Sequence, residues 1–386
     1  MSRVLAVFIA RLEIMSKRPR PTEPKGDGKG DSKGGGASRT AQRDKEAEEY
    51  QEYLEKAGAE FTKRFSTRPP FLASTRTLNF KKVIGRGSFG VVQLALSETS
   101  GEFVAVKMLD KSFLVRSGQV KHALNELKIS YAMDFPFVLN TKQFHHDNSY
   151  LYFVMPFMAG GDMFSHIRRQ QRFTEDVARF YAAQMTLTLE YMHFLKLVHR
   201  DVKPENILID EEGYIKVMDF GFTKYVEGRA YTTVGTPEYM APELFLNTGY
   251  NEGVDWWALG ILIFEMCAGS TPFAHRNKAR LHERIIAGKY DTPKTFSPGL
   301  DHLLRNLIQK DLTKRLGTLK NGAADIKNHR WFRAISWTDV FDRKVKPEFV
   351  PEIREPGDLS NFLPEKSDFE MNITEVDKYR EYFKDF

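Results

Sequence analysis

The sequence has a single cysteine among its 386 residues, Cys267, so no disulfide can form within the chain. This scarcity is typical of proteins of a reducing compartment, and we interpret Cys267 as a small buried hydrophobic residue. Long apolar runs are also lacking near the start, because residues 4–10 are too few to cross a bilayer and no cleavage site of a signal peptide follows them. The second residue is Ser2 rather than the glycine that N-myristoylation requires. We therefore expect no stable membrane insertion.

Large apolar side chains are scarce over residues 16–43, where Lys, Gly, Ser, Pro and Arg predominate. Such a segment cannot bury enough surface to offset its ordering entropy, so we expect residues 1–43 to form a disordered extension. Much of the net charge of +6 lies there, so we expect no nucleic-acid partner. Residues 17–20 (Lys-Arg-Pro-Arg) are a weak nuclear-import motif. The expected location is cytoplasmic, with nuclear entry as an alternative.

What is present indicates a sizeable globular core, since 41% of the residues are hydrophobic and 13% aromatic. Apolar residues recur every three or four positions over residues 44–65, which predicts an amphipathic helix, followed by a linker to residue 77. Residues 78–158 are rich in predicted strands, residues 159–332 are mostly predicted helix, and residues 333–386 form a tail. This order predicts an α+β fold with two lobes and a ligand-binding cleft between them.

One loop carries a set of side chains suited to phosphoryl transfer. Residues 199–206 read His-Arg-Asp-Val-Lys-Pro-Glu-Asn and lie between two short apolar runs. Asp201 can accept a hydroxyl proton, Lys203 can offset phosphate charge, and Asn206 can bind a metal ion. Taken alone, the same loop could be a solvated charged turn.

Further motifs make that alternative weaker. Residues 85–90 (Gly-Arg-Gly-Ser-Phe-Gly) match a phosphate-binding loop, and the β-branched residues 91–92 after it indicate a turn between strands rather than the helix of a dinucleotide fold. Lys107 lies in an apolar strand and needs a buried partner, for which Glu126 in the next helix is suited. Asp219 follows another strand and can bind magnesium.

These motifs occur in the order that protein kinases have, and residues 241–243 (Ala-Pro-Glu) come after them. Residues 78–332 therefore resemble the protein kinase superfamily. Lys203 and residues 235–239 (Gly-Thr-Pro-Glu-Tyr) resemble its serine/threonine branch. The resemblance implies the bilobal kinase fold, with a β-rich first lobe and a helical second lobe.

The match narrows to the AGC family of kinases. Residues 254–260 (Val-Asp-Trp-Trp-Ala-Leu-Gly), residues 311–315 (Asp-Leu-Thr-Lys-Arg) and the final Phe-Lys-Asp-Phe resemble that family, and within it the cyclic-AMP-dependent branch. This resemblance implies protein substrates and an inhibitory regulatory subunit as partners. The alternatives are a pseudokinase or scaffold, and an AGC kinase of another branch with a different regulator. The presence of Lys107, Glu126, Asp201, Asn206 and Asp219 favours an active enzyme.

The resemblance also implies a binding site for ATP and two magnesium ions. Asp201, Lys203, Lys107 and Glu126 would be catalytic, and Asn206 and Asp219 would bind the metal. The backbones of Pro156 and Met158 would face the adenine edge. The implied nucleotide-binding residues are Ile84, Gly85, Gly87, Ser88, Phe89, Gly90, Val92, Ala105, Lys107, Met155, Pro156, Met158, Leu208 and Phe362.

Substrate recognition is implied for Asp162, Glu205 and Glu265, because carboxylates pair with guanidinium groups. We expect a preference for Arg-Arg-x-Ser/Thr followed by an apolar residue. The alternative is that these residues are ordinary surface acids, above all Asp162.

Regulation by phosphorylation is predicted for the activation loop, which lies between Asp219 and residues 241–243. Thr232 is the expected site, and Thr233 is the alternative. Thr374 is a candidate phosphosite in the tail. The cations placed to meet a phosphate on Thr232 are His122, Arg200, Lys224 and Arg229.

Five positions depart from the family pattern. Met218 replaces a small polar residue before the metal-binding aspartate, Glu365 and its neighbours lack a tail tyrosine, and Tyr231 replaces a tryptophan. Ser130 and Thr141 stand where apolar residues usually join the helix of Glu126 to the second lobe. We expect these two side chains to hydrogen-bond or to bind water.

Overall fold

A computed structural model describes residues 36–87, 90–364 and 369–386 of the protein, with side chains from residue 45 onward. The chain consists of two compact units, and the boundary between them follows Thr67. Glu365 and its neighbours, as well as residues 1–35, lie outside the described residues.

Helix α1 (Gly36–Phe65) begins earlier than the predicted start at Asp44. The expectation of disorder is therefore wrong for residues 36–43. These positions include Ala37, Ala41 and three long polar residues (Arg39, Gln42 and Arg43), which have high helix propensity and extend a helix without adding to its apolar stripe. A prediction from apolar periodicity alone does not detect such an extension.

The first lobe of the second unit is a five-stranded antiparallel sheet with the order β1-β2-β3-β5-β4. Its strands are β1 (Leu78–Gly87), β2 (Gly90–Ser97), β3 (Phe103–Asp110), β4 (Gln143–His146) and β5 (Tyr150–Pro156). Helices α2 (Lys111–Arg116) and α3 (Val120–Ala132) connect β3 to β4. Val106, Met108 and Tyr152 are almost fully buried in this lobe, so β3 and β5 form its centre.

The second lobe is mostly helical. Its helices are α4 (Met163–Gln170), α5 (Glu175–Phe194), α6 (Pro242–Leu246), α7 (Gly253–Ala268), α8 (Lys278–Ala287), α9 (Pro298–Leu307), α10 (Ala323–Lys327) and α11 (Trp337–Phe341). Two short antiparallel pairs lie beside them: β6 (Leu197–Val198) with β9 (Lys224–Tyr225), and β7 (Ile207–Ile209) with β8 (Ile215–Val217). The loop of residues 199–206 therefore begins at β6 and ends at β7.

Helix α7 is buried along nearly its whole length, including Trp256 and Trp257. It packs on α5, which begins one residue after Thr174; the Thr174 side chain accepts the N–H of Val177 and so caps the helix. These two helices form the centre of the second lobe, and the predicted bilobal α+β fold is confirmed. Within the described residues, no helix is long and apolar enough to span a membrane.

Candidate active site

Lys107, in the middle of β3, forms an ion pair with Glu126 of α3 and lies 3.7 Å from a carboxylate oxygen of Asp219. Lys107 pairs with Val92 on one side and Phe153 on the other, so its backbone is fixed within the sheet. Burial alone would lower the pKa of Lys107, but the two carboxylates outweigh burial and raise this pKa. The lysine is therefore cationic at physiological pH and suited to hold phosphate oxygens.

Asp201 is 2% exposed, and its carboxylate is held by three neighbours. One oxygen accepts the N–H and the hydroxyl of Thr236 at 2.9 and 2.8 Å, and the other contacts Lys203 Nζ at 2.7 Å and Asn206 Nδ2 at 3.0 Å. Lys203 Nζ also donates to the Thr236 hydroxyl at 2.8 Å. The loop thus brings a fixed carboxylate, a cation and an amide together, as the sequence predicted, while the role of Thr236 emerges only from the fold.

Asp255, in the first turn of α7, anchors this loop. Its carboxylate oxygens accept the N–H groups of His199 and Arg200, both at 2.9 Å, and one lies 2.8 Å from His193 Nε2. These bonds hold Arg200 at a left-handed φ of 69°. Burial would raise the pKa of Asp255, but its hydrogen-bond partners prevail and lower this pKa. Sequence reasoning assigned no role to Asp255, although an acid inside an apolar helix was a usable signal.

Asp219 turns toward Lys107 while the next residue turns into the core. Asp219 has a left-handed φ of 61°, and its carboxylate accepts the N–H of Gly221 at 3.3 Å. The charge of Lys107 lowers the pKa of Asp219 despite burial. Phe220 is 1% exposed and packs edge-on against His199, with ring centroids 5.6 Å apart.

Ser130 and Thr141 hydrogen-bond to each other, with 2.7 Å between their hydroxyl oxygens. The Ser130 hydroxyl also reaches the carbonyl of Leu127 at 3.1 Å, and the Thr141 N–H donates to the Ser130 carbonyl at 3.2 Å. Both side chains are buried. The polar pair therefore joins α3 to the chain before β4 by hydrogen bonds.

Asn206 and Asp219 are suited to bind magnesium. The amide nitrogen of Asn206 donates to Asp201, so its amide oxygen is the atom left for a cation. Within the described residues, no cluster of three or more His, Cys, Asp or Glu side chains forms a ready metal cage. Magnesium commonly takes one or two protein carboxylates and completes its shell with water and substrate phosphates, so this donor set fits the ion.

Most of the residues predicted to surround adenine lie on strands β1, β2, β3 and β5 of the first lobe. Ala105 pairs with Met155 across β3 and β5, and Val92 pairs with Gly85 across β2 and β1. Phe362 of the tail stacks on Phe157, with ring centroids 5.5 Å apart. The predicted adenine-binding side chains that are partly exposed include Ile84, Val92, Met155, Leu208 and Phe362.

Two segments of the predicted nucleotide site would contribute backbone groups. One joins the two lobes, and the other is the glycine-rich turn between β1 and β2. Pro156 ends β5, and the carbonyl of Met158 accepts the N–H of Gly161 at 3.1 Å. Gly85 and Gly87 lie in β1, and a Cβ on Gly90 would lie 1.8 Å from the Met108 carbonyl oxygen, so only glycine fits there. The remaining loop positions, Ser88 and Phe89, lie outside the described residues.

The three predicted recognition acids differ in their surroundings. Asp162 caps α4, and its oxygens accept the N–H and the hydroxyl of Ser165, both at 2.8 Å. Glu265 is 3% exposed and accepts the Tyr239 hydroxyl, whereas Glu205 is half-buried. Burial raises the pKa of both glutamates. Asp162 therefore stabilises the start of α4, whereas Glu205 and Glu265 are the acids whose pKa is raised by burial.

Thr232 lies beside two of its four predicted cations. Its hydroxyl oxygen is 3.0 Å from both Arg200 Nη1 and Lys224 Nζ, and 3.2 Å from the Tyr250 hydroxyl. The other two cations have other partners: His122 hydrogen-bonds to the Gln119 side chain at 2.6 Å, and Arg229 donates to the Thr248 carbonyl at 3.3 Å. The neighbouring Thr233 donates to the Leu244 carbonyl at 3.2 Å. Tyr250 is a contact that sequence reasoning did not assign.

The tail packs on the first lobe. Phe383 and Phe386 are 3% and 8% exposed, and Phe386 lies 5.8 Å from Phe144 between ring centroids. Lys111 is fully buried and donates to a carboxylate oxygen of Asp377 at 2.9 Å. Thr374 of the tail is exposed and lies against the turn between β4 and β5. Asn148 of this turn donates to the Thr374 carbonyl at 2.9 Å.

Comparison with known proteins agrees with this geometry. A family model described as "Protein kinase domain" matches residues 78–332. A cAMP-dependent protein kinase catalytic subunit of Dictyostelium discoideum is 43% identical over 83% of this chain and 51% of its own length. Catalytic subunit 2 of Drosophila melanogaster is 41% identical over 88% of this chain and 96% of its own length. The catalytic subunit PRKX of Homo sapiens is 41% identical over 83% of this chain and 90% of its own length.

The chain belongs to the protein kinase family, and its kinase domain is of the serine/threonine type. Within that family it is similar to catalytic subunits of cAMP-dependent protein kinases from several species. The chain spans about half the length of the Dictyostelium relative and of catalytic subunit 3 of Drosophila melanogaster.

Proposed function

We propose that the protein transfers the γ-phosphoryl group of ATP to serine and threonine side chains of proteins. The observation that carries this proposal is the position of Asp201, held by Lys203 and Thr236, together with the ion pair of Lys107 and Glu126, where Lys107 also lies 3.7 Å from Asp219. A scaffold that merely kept the fold would not need a buried carboxylate oriented by four donated hydrogen bonds, since each buried charge is costly.

In this reaction Asp201 accepts the proton of the substrate hydroxyl as its oxygen attacks the γ-phosphorus. Lys203, 2.7 Å from the same carboxylate, offsets charge on the transferred group, and Lys107 holds the other phosphates in line. Two magnesium ions held by Asn206 and Asp219 would neutralise charge on the phosphates. Glu126 keeps the ammonium of Lys107 in place and is a positioning residue.

The decisive experiment is to incubate purified protein with γ-labelled ATP, magnesium and a peptide containing Arg-Arg-Ala-Ser-Leu. Transfer to serine is expected, with ADP formed in equal amount. A protein that binds ATP with magnesium yet transfers no label to any of a panel of basic peptides would be a scaffold instead.

We further propose that Glu205 and Glu265 bind the arginines that precede the target, with Glu265 acting mainly at the second position before it. Within the described residues, Glu205 Oε2 is buried without a hydrogen-bond partner, which is an arrangement suited to an incoming guanidinium. A peptide library should show arginine at these positions and an apolar residue after the target. Glu265→Gln should weaken mainly the preference at the second position, and Asp162→Asn, matched in size and charge change, tests whether Asp162 contributes beyond capping α4.

We also propose an inhibitory regulatory subunit as partner and a cytoplasmic location, with nuclear entry as an alternative. The named relatives are catalytic subunits, and the aromatic Tyr231, which lies in the activation loop and is 61% exposed, is a contact site for such a partner. Purification of the tagged protein from its own cells, with and without cyclic AMP, tests this. A copurifying protein that cyclic AMP releases supports the proposal, and one released by another ligand supports a different branch.

A further inference from the structure

Ser66 is the only serine or threonine in the sequence with basic residues at both the second and the third position before it. These residues are Arg64 and Lys63, and they have the spacing of the proposed substrate preference. The residue after Ser66 is Thr67, where that preference has an apolar residue. The inference drawn from this match rests on the proposed function.

The structure makes Ser66 accessible. It lies one residue beyond the end of α1 and is exposed, and its hydroxyl donates to the carbonyl of Thr62 at 2.9 Å. Lys63 Nζ and Arg64 Nε lie 3.6 and 3.2 Å from the carboxylate of Glu60, one turn earlier. The Lys63 side chain is 75% exposed, so its ion pair contributes little stability, whereas the Arg64 side chain is 29% exposed. Helix ends fray readily, so residues 63–67 become extended when the last turn of α1 unwinds and the stacked rings of Phe61 and Phe65 separate.

We propose that Ser66 is a phosphorylation site for a second copy of this chain. The hydroxyl oxygen of Ser66 attacks the γ-phosphorus of ATP, and the bond from that phosphorus to the oxygen bridging the β- and γ-phosphates breaks. The products are phosphoserine and ADP. The hydroxyl proton passes to Asp201 of the copy that acts as enzyme, and from there to water.

The enzyme copy would recognise the basic residues before Ser66 through Glu205 and Glu265. The carboxylate of Glu265 is the acceptor for Arg64 of the substrate copy, two residues before Ser66, and the buried, unpartnered oxygen of Glu205 is the acceptor for Lys63. After transfer, the serine hydroxyl no longer donates to Thr62, and a dianion stands at the C-terminal end of α1. The helix dipole disfavours negative charge at that end, so the phosphate favours the unwound last turn.

The test uses full-length chains. Isotope-labelled Asp201→Asn protein, which cannot phosphorylate itself, is mixed with unlabelled active protein and ATP with magnesium, and phosphopeptides of the labelled chain are mapped. We expect phosphate on Ser66. Adding Arg64→Gln to the labelled chain should slow this step about tenfold or more, because a charge-assisted hydrogen bond is lost. Thr67→Ala, at the neighbouring exposed hydroxyl, should leave the rate unchanged.

Active protein alone provides a second measurement that needs no inactive variant. The initial rate of Ser66 phosphorylation per molecule should rise in proportion to protein concentration, and Ser66→Ala should keep normal activity toward a basic peptide. Phosphorylation of that peptide with none on Ser66, or phosphate on Thr67 instead, overturns the inference. If neither the peptide nor Ser66 is phosphorylated, the proposed function itself fails.

Discussion

At the scale of single residues, the phosphoryl-transfer site depends on charges held at fixed positions. Asp201→Asn and Lys107→Met should each reduce phosphotransfer by orders of magnitude, because positioning and electrostatics supply most of the rate. The measurement is kcat at saturating ATP, with circular dichroism to verify folding. A well-folded variant of either kind with near-normal kcat would contradict the assignment. Asp176→Asn, at an exposed acid of α5, is the control for Asp201→Asn.

The hydroxyl pair of Ser130 and Thr141 gives a second prediction at this scale. Ser130→Ala alone leaves the buried hydroxyl of Thr141 without its partner, which should cost about 1–3 kcal/mol of stability. Replacing both, by Ser130→Ala with Thr141→Val, should cost less than the sum, because no polar group is then left unpaired. Urea unfolding of the two single variants and the double variant checks this. The KM for ATP is measured in parallel, since α3 carries Glu126. Additive costs would mean that the hydrogen bond contributes nothing.

The protonation of Glu265 gives a third prediction. Burial, followed by repulsion from Glu205, raises the pKa of Glu265, and the hydrogen bond from Tyr239 only partly offsets them. As pH falls, Glu265 therefore loses its charge earlier than an ordinary carboxyl group. The KM of a peptide with arginine two residues before the target should rise on acidification more steeply than that of its alanine counterpart. Glu265→Gln should remove this difference, and equal pH profiles of the two peptides in the wild-type protein would refute the role.

At the scale of elements, the tail stabilises the sheet lobe through two phenylalanines. Phe383→Ala should cost about 3–5 kcal/mol, because a buried aromatic side chain is lost and a cavity remains. Tyr382→Ala is the matched control, since Tyr382 is 61% exposed and adjacent. Thermal unfolding of the two variants measures the difference. Equal melting temperatures would show that the tail does not stabilise this lobe.

At the scale of the whole molecule, hydrogen bonds to Thr232 connect the activation loop with two other segments. Arg200 donates from the catalytic loop (residues 199–206), and Lys224 donates from β9. A phosphate here adds about −1.5 to −2 charges and three acceptor oxygens between these two cations. We therefore predict that activity requires phosphate on Thr232, and that Thr232→Ala lowers kcat/KM about tenfold or more, since charge-assisted hydrogen bonds are lost.

The matched control for that prediction is Thr233→Ala, which removes a hydroxyl bonded only to the Leu244 carbonyl among the contacts described. Intact-mass and phosphopeptide analysis of active protein identifies the modified residue. Full activity of unphosphorylated Thr232→Ala protein would mean that packing alone orders the loop. A phosphate found on Thr233 instead would transfer the role to the neighbouring residue.

The sequence by itself determined the elements whose signal is local. Asp201, Lys203 and Asn206 lie within one loop, and their spacing is a property of consecutive residues. The helix that carries Glu126 was predicted from the chain, and the structure has it as α3. The ion pair of Lys107 and Glu126 could be expected because a lysine in an apolar strand requires a nearby acid.

Only the tertiary structure decided which distant groups complete the site. Asp255 reaches the catalytic loop from α7, and Thr236 reaches Asp201 from the activation loop. His122 hydrogen-bonds to Gln119 in this structure, and its contact with a phosphate on Thr232 stays a prediction. The physical reason is that hydrogen bonds depend on distances of about 3 Å and on direction. Residue type and spacing along the chain do not specify the distance or the direction between groups that only the fold brings together.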